Sequence, residues 1–378
     1  MVIMRKYLVK TSFATLCLFL TTNAFAGNKD RTGQAGATEL LINPWGASTG
    51  VFGLNVANVS GVEAMKVNIA GMAYTKGTNF GLSRTEMLRG SGINVNNAGI
   101  AQKVGNFGTI GLNIMSVGFG DITVTTPDNP EGGIGIYKPT FLNVSLGFAK
   151  EFSENISAGV GATFVSEQIS DIKANGACFE GGVQYVTGKR NNFHFGITLR
   201  NIGTNMRFSG NGFAVEAEAP ETQLTSSKMS LHVPTDKFEM PTYLTFGGSY
   251  DFYLDENKLQ NEEDKPKHRA TIMATFVSNS FLNDYLGAGI EYSYKEIFML
   301  RGAYRHEKGI HDNEAPTSFY TGFSAGATVQ FPIGKKGPLL ALDYSYRPTQ
   351  RPSNGVHVMS LRFSTRAHNS QAEEETTE

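Results

Sequence analysis

The chain has 378 residues, a net charge of −1 at pH 7, 43 glycines and a single tryptophan. That charge does not suggest a nucleic-acid binder, which would call for a basic stripe. Of the two cysteines, Cys17 lies in a leader sequence, so Cys178 stands alone and no intrachain disulfide can brace the mature chain.

Residues 1–26 have the layout of a secretory signal peptide. Arg5, Lys6 and Lys10 form a basic start, Phe13 to Leu20 a short apolar core, and Ala24, Phe25 and Ala26 a cleavage site. The apolar run is too short to anchor in a membrane. Met4 is an alternative start that tightens the basic region. Cys17 does not mark a lipoprotein, because it sits inside the apolar core after Leu16, where a small residue belongs. No later apolar run approaches the roughly 18 residues of a membrane helix. An exported chain of this kind fits the outer membrane, with a periplasmic soluble domain as the alternative.

Residues 27–76 show no sustained alternation and are dense in Gly, Ala and Asn, with short helical stretches at Thr38–Ile42 and Gly61–Val67. Such a segment suits a confined space, and a wide barrel must hold water or be filled. The expectation is an N-terminal plug.

From Thr78 on, about fourteen strands are expected, at roughly 78–88, 91–104, 107–120, 140–151, 155–168, 174–187, 192–203, 241–254, 268–279, 284–295, 297–307, 319–331, 338–347 and 355–364. Several alternate cleanly. Leu286, Ala288, Ile290, Tyr292 and Tyr294 oppose Gly287, Gly289, Glu291, Ser293 and Lys295; Leu340, Leu342, Tyr344 and Tyr346 oppose Asp343, Ser345 and Arg347. Period-two alternation gives one apolar and one polar face. Strands this long suit a tilted membrane crossing, with the apolar face toward lipid. The connections agree, since long ones (121–139, 204–240, 308–318, 348–354) alternate with tight turns such as 105–107. Short periplasmic turns and long outer loops are the pattern of outer-membrane barrels. The charged stretch 255–267 is the exception. An even strand count is expected to return both termini to the periplasm. Aromatic residues at strand ends, such as Tyr292, Tyr294, Phe319 and Phe331, suit interfacial girdles. The fold class is thus all-β: a transmembrane antiparallel β-barrel over residues 77–364, with an acidic tail at 365–378.

Little suggests catalysis. His306, Glu307 and His311 fit no zinc spacing, and Asp121, Asp128 and Glu131 lack the ordered calcium pattern. No nucleophile elbow or dinucleotide fingerprint is present. The expectation is no enzyme, no metal and no cofactor. The lumen-facing parity carries Arg200, Asp251, Glu291, Arg301, Arg305, Asp343, Arg347 and Arg362, which either line a permeation path or pair with one another and with the plug. The 204–240 connection carries Met206, Phe208, Phe213, Leu231 and Phe238; exposed apolar residues there need a cover, either a partner or cargo protein or the barrel's own mouth.

Two stretches, Asp30–Trp45 and Ser83–Thr126, resemble the PorV/PorQ family, Bacteroidetes outer-membrane proteins of the type IX secretion system related to the FadL-like fatty-acid transporters. The resemblance implies a fourteen-stranded FadL-like barrel in a Gram-negative outer membrane. It implies a non-enzymatic role, binding secreted cargo as it leaves the translocon and shuttling it to the cell-surface attachment complex. The implied partners are the large translocon barrel, the C-terminal signal domains of cargo, the surface sortase complex, and the lipid and lipopolysaccharide of the membrane. The alternative is a FadL-like transporter of hydrophobic small molecules.

Overall fold

The computed structural model describes residues 31–218, 228–255, 266–312, 317–334, 337–350 and 354–365. The expected signal peptide, the middle of the charged 255–267 stretch and the acidic stretch beyond Thr365 lie outside them.

Fourteen long antiparallel strands make the wall: β1 (Thr78–Glu86), β2 (Asn94–Val104), β3 (Gly108–Gly118), β4 (Thr140–Glu151), β5 (Ile156–Ile169), β6 (Ile172–Thr187), β7 (Phe193–Gly203), β8 (Tyr243–Tyr253), β9 (His268–Asn279), β10 (Tyr285–Tyr294), β11 (Phe298–Glu307), β12 (Phe323–Pro332), β13 (Leu339–Arg347) and β14 (Val356–Ser364). Each pairs with its chain neighbours, and β14 pairs with β1, so the sheet closes. Closure removes the unpaired edges that an open sheet would expose. Strand bounds follow the alternation closely, with one displacement. The expected 319–331 strand begins only at Phe323, because Gly322 adopts φ 95° and its carbonyl turns to accept the Arg305 N–H. The bend frees Tyr320 to bridge to Thr349.

Alternation sorts the residues as expected. Leu142, Leu146, Ile272, Leu286, Ile290, Leu300, Leu342 and Leu361 are exposed on the outside, while Asp251, Asp343, Arg347 and Ser360 are buried inside. A band of exposed Leu and Ile around a closed sheet is stable only against lipid. Ile290→Arg, placing a cation at mid-strand on that band, should therefore cost about 2–4 kcal/mol. Urea unfolding in lipid vesicles reads this directly; an unchanged midpoint would show that the residue does not face lipid.

The two ends of the barrel differ. One carries the turns 105–107, 152–155, 188–192, 295–297 and 333–338; the other carries the connections 119–139, 204–242, 308–322 and 348–355. The charged 255–267 stretch does lie at the short-turn end, and the flanking strands were not miscounted. It is clasped at its base, where Asp255 accepts the backbone N–H groups of Lys267 (2.8 Å) and His268 (3.4 Å). The Lys267 N–H holds the Asp255 carboxyl below its ordinary range.

Residues 37–75 run inside the barrel as short helical turns: Thr38–Leu41, Gly46–Thr49, Gly61–Glu63, Ala64–Val67 and Ile69–Tyr74. Their direction corrects the expectation that both termini return to the short-turn end. Thr365 lies at that end, bonded to Thr78. Arg31 lies at the opposite end, paired with Glu239 (2.5 Å) and stacked 4.2 Å from the ring of Phe281. The N-terminal segment therefore descends the whole lumen before turning into β1.

Candidate functional site: the filled lumen and its long-loop mouth

Small residues on the wall make room for the inner segment. A Cβ on Gly81 would lie 2.6 Å from Trp45 Cζ3, one on Gly111 2.6 Å from Met65 Sδ, and one on Gly161 2.6 Å from Ile69 Cδ1. These glycines sit beside one another across strands, Gly81 opposite Gly99, and Gly111 opposite Gly147, which faces Gly161. The wall thus carries grooves into which the side chains of the segment fit. Trp45, Val56, Val62, Met65, Ile69 and Met72 form one buried cluster there. Polar anchors fix the backbone: Asn68 Nδ2 donates to Val56 O and Val183 O, Gln184 Nε2 to Val56 O, Thr275 Oγ1 to Leu54 O, and Gly46 N to Ser360 Oγ at 2.7 Å.

A second layer, toward the short turns, is ionic. Glu63 of the inner segment meets Arg362 at 3.0 Å; Arg362 makes two 2.7 Å bonds to Asp343. Asp343 accepts from the Thr328 hydroxyl, which in turn accepts from Arg301, both at 2.5 Å. Arg301 pairs with Glu291, Glu291 with Arg269 (2.8 Å), and Arg269 with Asp251 (3.5 Å), which also meets His194 at 3.3 Å. Charges of alternating sign on β14, β13, β11, β10, β9 and β8, with the Thr328 hydroxyl bridging on β12 and His194 ending the run on β7, therefore link eight successive strands. Of the lumen-facing charges expected from parity, Asp251, Glu291, Arg301, Asp343 and Arg362 meet in this ladder. The sequence reading missed Glu63 and Arg269. Arg269 could have been found from its parity in β9; Glu63 could not, since the inner segment has no period.

Arg200 stands apart, within a break in the wall. Between Phe179 and Gly181 the register shifts by one residue, so that Arg200 and Asn201 both face inward opposite Glu180. Asn201 takes φ 58°, the left-handed conformation that a bulge uses and Asn tolerates. Arg200 pairs with Glu180 and donates to Met65 O at 3.1 Å, binding wall to inner segment. Elsewhere the strand pairing is continuous among the described residues, and β3 is paired along its whole length with β2 and β4.

The third layer lies under the long loops. Arg305 and Arg347 stack against Phe52 and Tyr320, with Arg347 4.4 Å from the Tyr320 ring, and Arg305 also meets Glu307 at 3.2 Å. On the other side of the mouth, Met206, Met240, Leu40, Val165, Ala174 and Cys178 pack together, with Phe208 and Phe238 across the top, their rings 5.6 Å apart. Three of the five expected contact residues, Met206, Phe208 and Phe238, thus fold down over the barrel's own mouth. Phe213 is half-buried and Leu231 exposed. They flank or lie in a hairpin, Ala214–Glu218 paired with Lys228–His232, in which exposed Val215 and Leu231 stand opposite each other. Met is flexible and polarizable, so a Met-lined mouth can reshape around apolar groups.

No protein-family profile matches the chain, and no curated protein does. Among solved structures it is similar to the CymD monoaromatic hydrocarbon channel, at 12% identity and TM-score 0.51 over 87% of this chain and 99% of that one. It is also similar to the P. putida toluene transporter TodX, at 13% identity and TM-score 0.52 over 86% of this chain and 99% of that one. At such identity the likeness is one of fold. The chain is a closed fourteen-stranded barrel of the FadL-like type.

Proposed function

We propose that the protein is an outer-membrane barrel that admits hydrophobic small molecules. They would be gathered at the Met206–Met240 mouth and let through by movement of the inner segment, which acts as a plug from residue 27 to about 76. The apolar, Met-lined mouth directly above the plug carries this reading. The fold shared with hydrocarbon and toluene channels supports it, as do the lipid-facing band and the loop asymmetry. Because the lumen is filled and the wall paired, passage requires the plug to shift. A tether should then stop it. Gly46→Cys with Ser360→Cys, in a Cys178→Ala background, joins plug to wall where Gly46 N now meets Ser360 Oγ at 2.7 Å. Oxidised vesicles should lose uptake of a radiolabelled aromatic hydrocarbon, and reduction should restore it. Uptake that persists with the tether closed would sink the reading.

A second reading, a cargo-binding shuttle of type IX secretion, is favoured by the hairpin of the 204–242 connection. There Val215 and Leu231, 53% and 49% exposed, form an uncovered apolar pair of the kind that partner proteins cover. Its partners would be the translocon barrel, cargo signal domains and the sortase complex. Excising Ser209–Thr235 behind a short Gly/Ser linker should then leave a heat-modifiable barrel while secreted cargo accumulates in the periplasm. Normal secretion from the folded deletion would exclude the hairpin as the cargo site.

A further inference from the structure

The outward faces of β13, β14, β1, β2 and β3 form horizontal rows across the seam where the barrel closes. One row is apolar: Leu342, Leu361, Leu82, Ala98 and Ile114 are successive cross-strand partners. The next row toward the long loops reads Tyr344, Met359, Arg84, Asn96 and Ser116. Two short side chains, Ala98 and Ser116, leave a hollow between larger neighbours. The hollow measures about 590 Å³ and reaches down to the strands at Ser83, Asn97 and Ser360. It is shallow and open on the lipid side, a groove along which an acyl chain can lie.

Arg84 gives the hollow a polarity. It is exposed on the lipid side, its hydrogen-bond partner is Asn94 Oδ1 at 3.3 Å, and none of the ion pairs among the described residues includes it. A cation on the lipid face is unfavourable unless it reaches the interface or meets an anion. Glu86 lies one row further toward the loops, beside His357 and Asn94. We propose that this hollow binds one outer-leaflet glycolipid phosphate of the lipid A type, its phosphate on Arg84 and one acyl chain lying over Leu82, Ala98 and Leu361. A guanidinium suits the head, since its planar fork matches phosphate oxygens. The apolar row below suits the tail, and the order of the two rows matches a lipid whose head faces outward. The site rests on the outer-membrane reading with the long loops outside. It does not depend on what crosses the lumen.

The full chain, purified from outer membranes in detergent, would be mixed with lipid A, dephosphorylated lipid A or phosphatidylglycerol and examined by native mass spectrometry. Wild type should retain one lipid A at an energy that strips the other two. Arg84→Gln should lower the retained fraction at least ten-fold. Ala98→Phe, which fills the hollow and leaves Arg84 in place, should do the same, and Arg84→Lys should restore part of the binding. Equal retention of lipid A by wild type and Arg84→Gln would overturn the proposal, as would equal retention of phosphatidylglycerol. A dimer abolished by the same two variants would also overturn it, by showing that the face meets a second copy. Heat-modifiable migration of every variant establishes that each is folded. Fractionation of the wild type with outer membranes tests the underlying reading separately.

Discussion

Arg362→Met should destabilise the protein by about 3–5 kcal/mol, the cost of leaving buried charge without its partner. Arg362 bridges carboxylates of the inner segment and of the wall: it meets Glu63 at 3.0 Å and makes two 2.7 Å bonds to Asp343. Glu63 and Asp343 are 2% and 4% exposed, so neither can turn to water when the guanidinium goes. The Ser48 side chain, which donates to Glu63, and Thr328, which donates to Asp343, would remain, but a hydroxyl does not cancel a charge. Adding Glu63→Gln and Asp343→Asn should recover most of the loss, because it removes the stranded charges themselves. Urea unfolding in vesicles measures both. A single variant within 1 kcal/mol of wild type, or a triple variant no better than the single, would mean that these groups are hydrated rather than buried in the ladder.

The ladder also marks the limit of what the sequence discloses. Parity alone put Asp343, Arg301 and Arg362 inside, because side chains on a strand alternate and the opposite parity was apolar. It could not say that Asp343 would meet Arg362 and Thr328, since partners depend on the register between strands. Nor could it foresee Arg200 and Asn201 on the same side, because a bulge breaks the period locally. The wall was legible for the same reason throughout. Strand bounds such as Thr140–Glu151 and His268–Asn279 coincide with the alternating runs. The inner segment has no period, so its composition hinted at confinement while its direction stayed hidden. The placing of Arg31 at the long-loop end depends on contacts with Glu239 and Phe281, more than 200 residues away, and on the Gly36 N–H donating to Glu239 O. Met206, Phe208 and Phe238 were visible as apolar residues in a long connection, but that they close over Leu40 and Cys178 depends on the same unreadable path.

Trp45→Ala should cost a comparable 3–5 kcal/mol, and its interaction with Gly81 tests how inner segment and wall fit. Trp45 is fully buried, and its ring lies over the paired glycines Gly81 and Gly99, with Val62 packed beside it. Cζ3 and Cη2 would be 2.6 and 2.7 Å from a Cβ on Gly81, closer than such contacts tolerate, so Gly81→Ala alone should cost about 1–3 kcal/mol through overpacking. With the indole gone, the added methyl enters vacant space and begins to fill it. The double variant should then be less destabilised than the sum of the singles, by more than the roughly 0.3–0.5 kcal/mol scatter of independent sites. Trp45→Phe should fall well short of the alanine loss. It keeps much of the apolar contact and removes a buried indole N–H that meets no acceptor among the described residues. Strict additivity of Trp45→Ala and Gly81→Ala would mean that the ring and the glycine do not share one space. The groove in the wall would then not be what seats the inner segment.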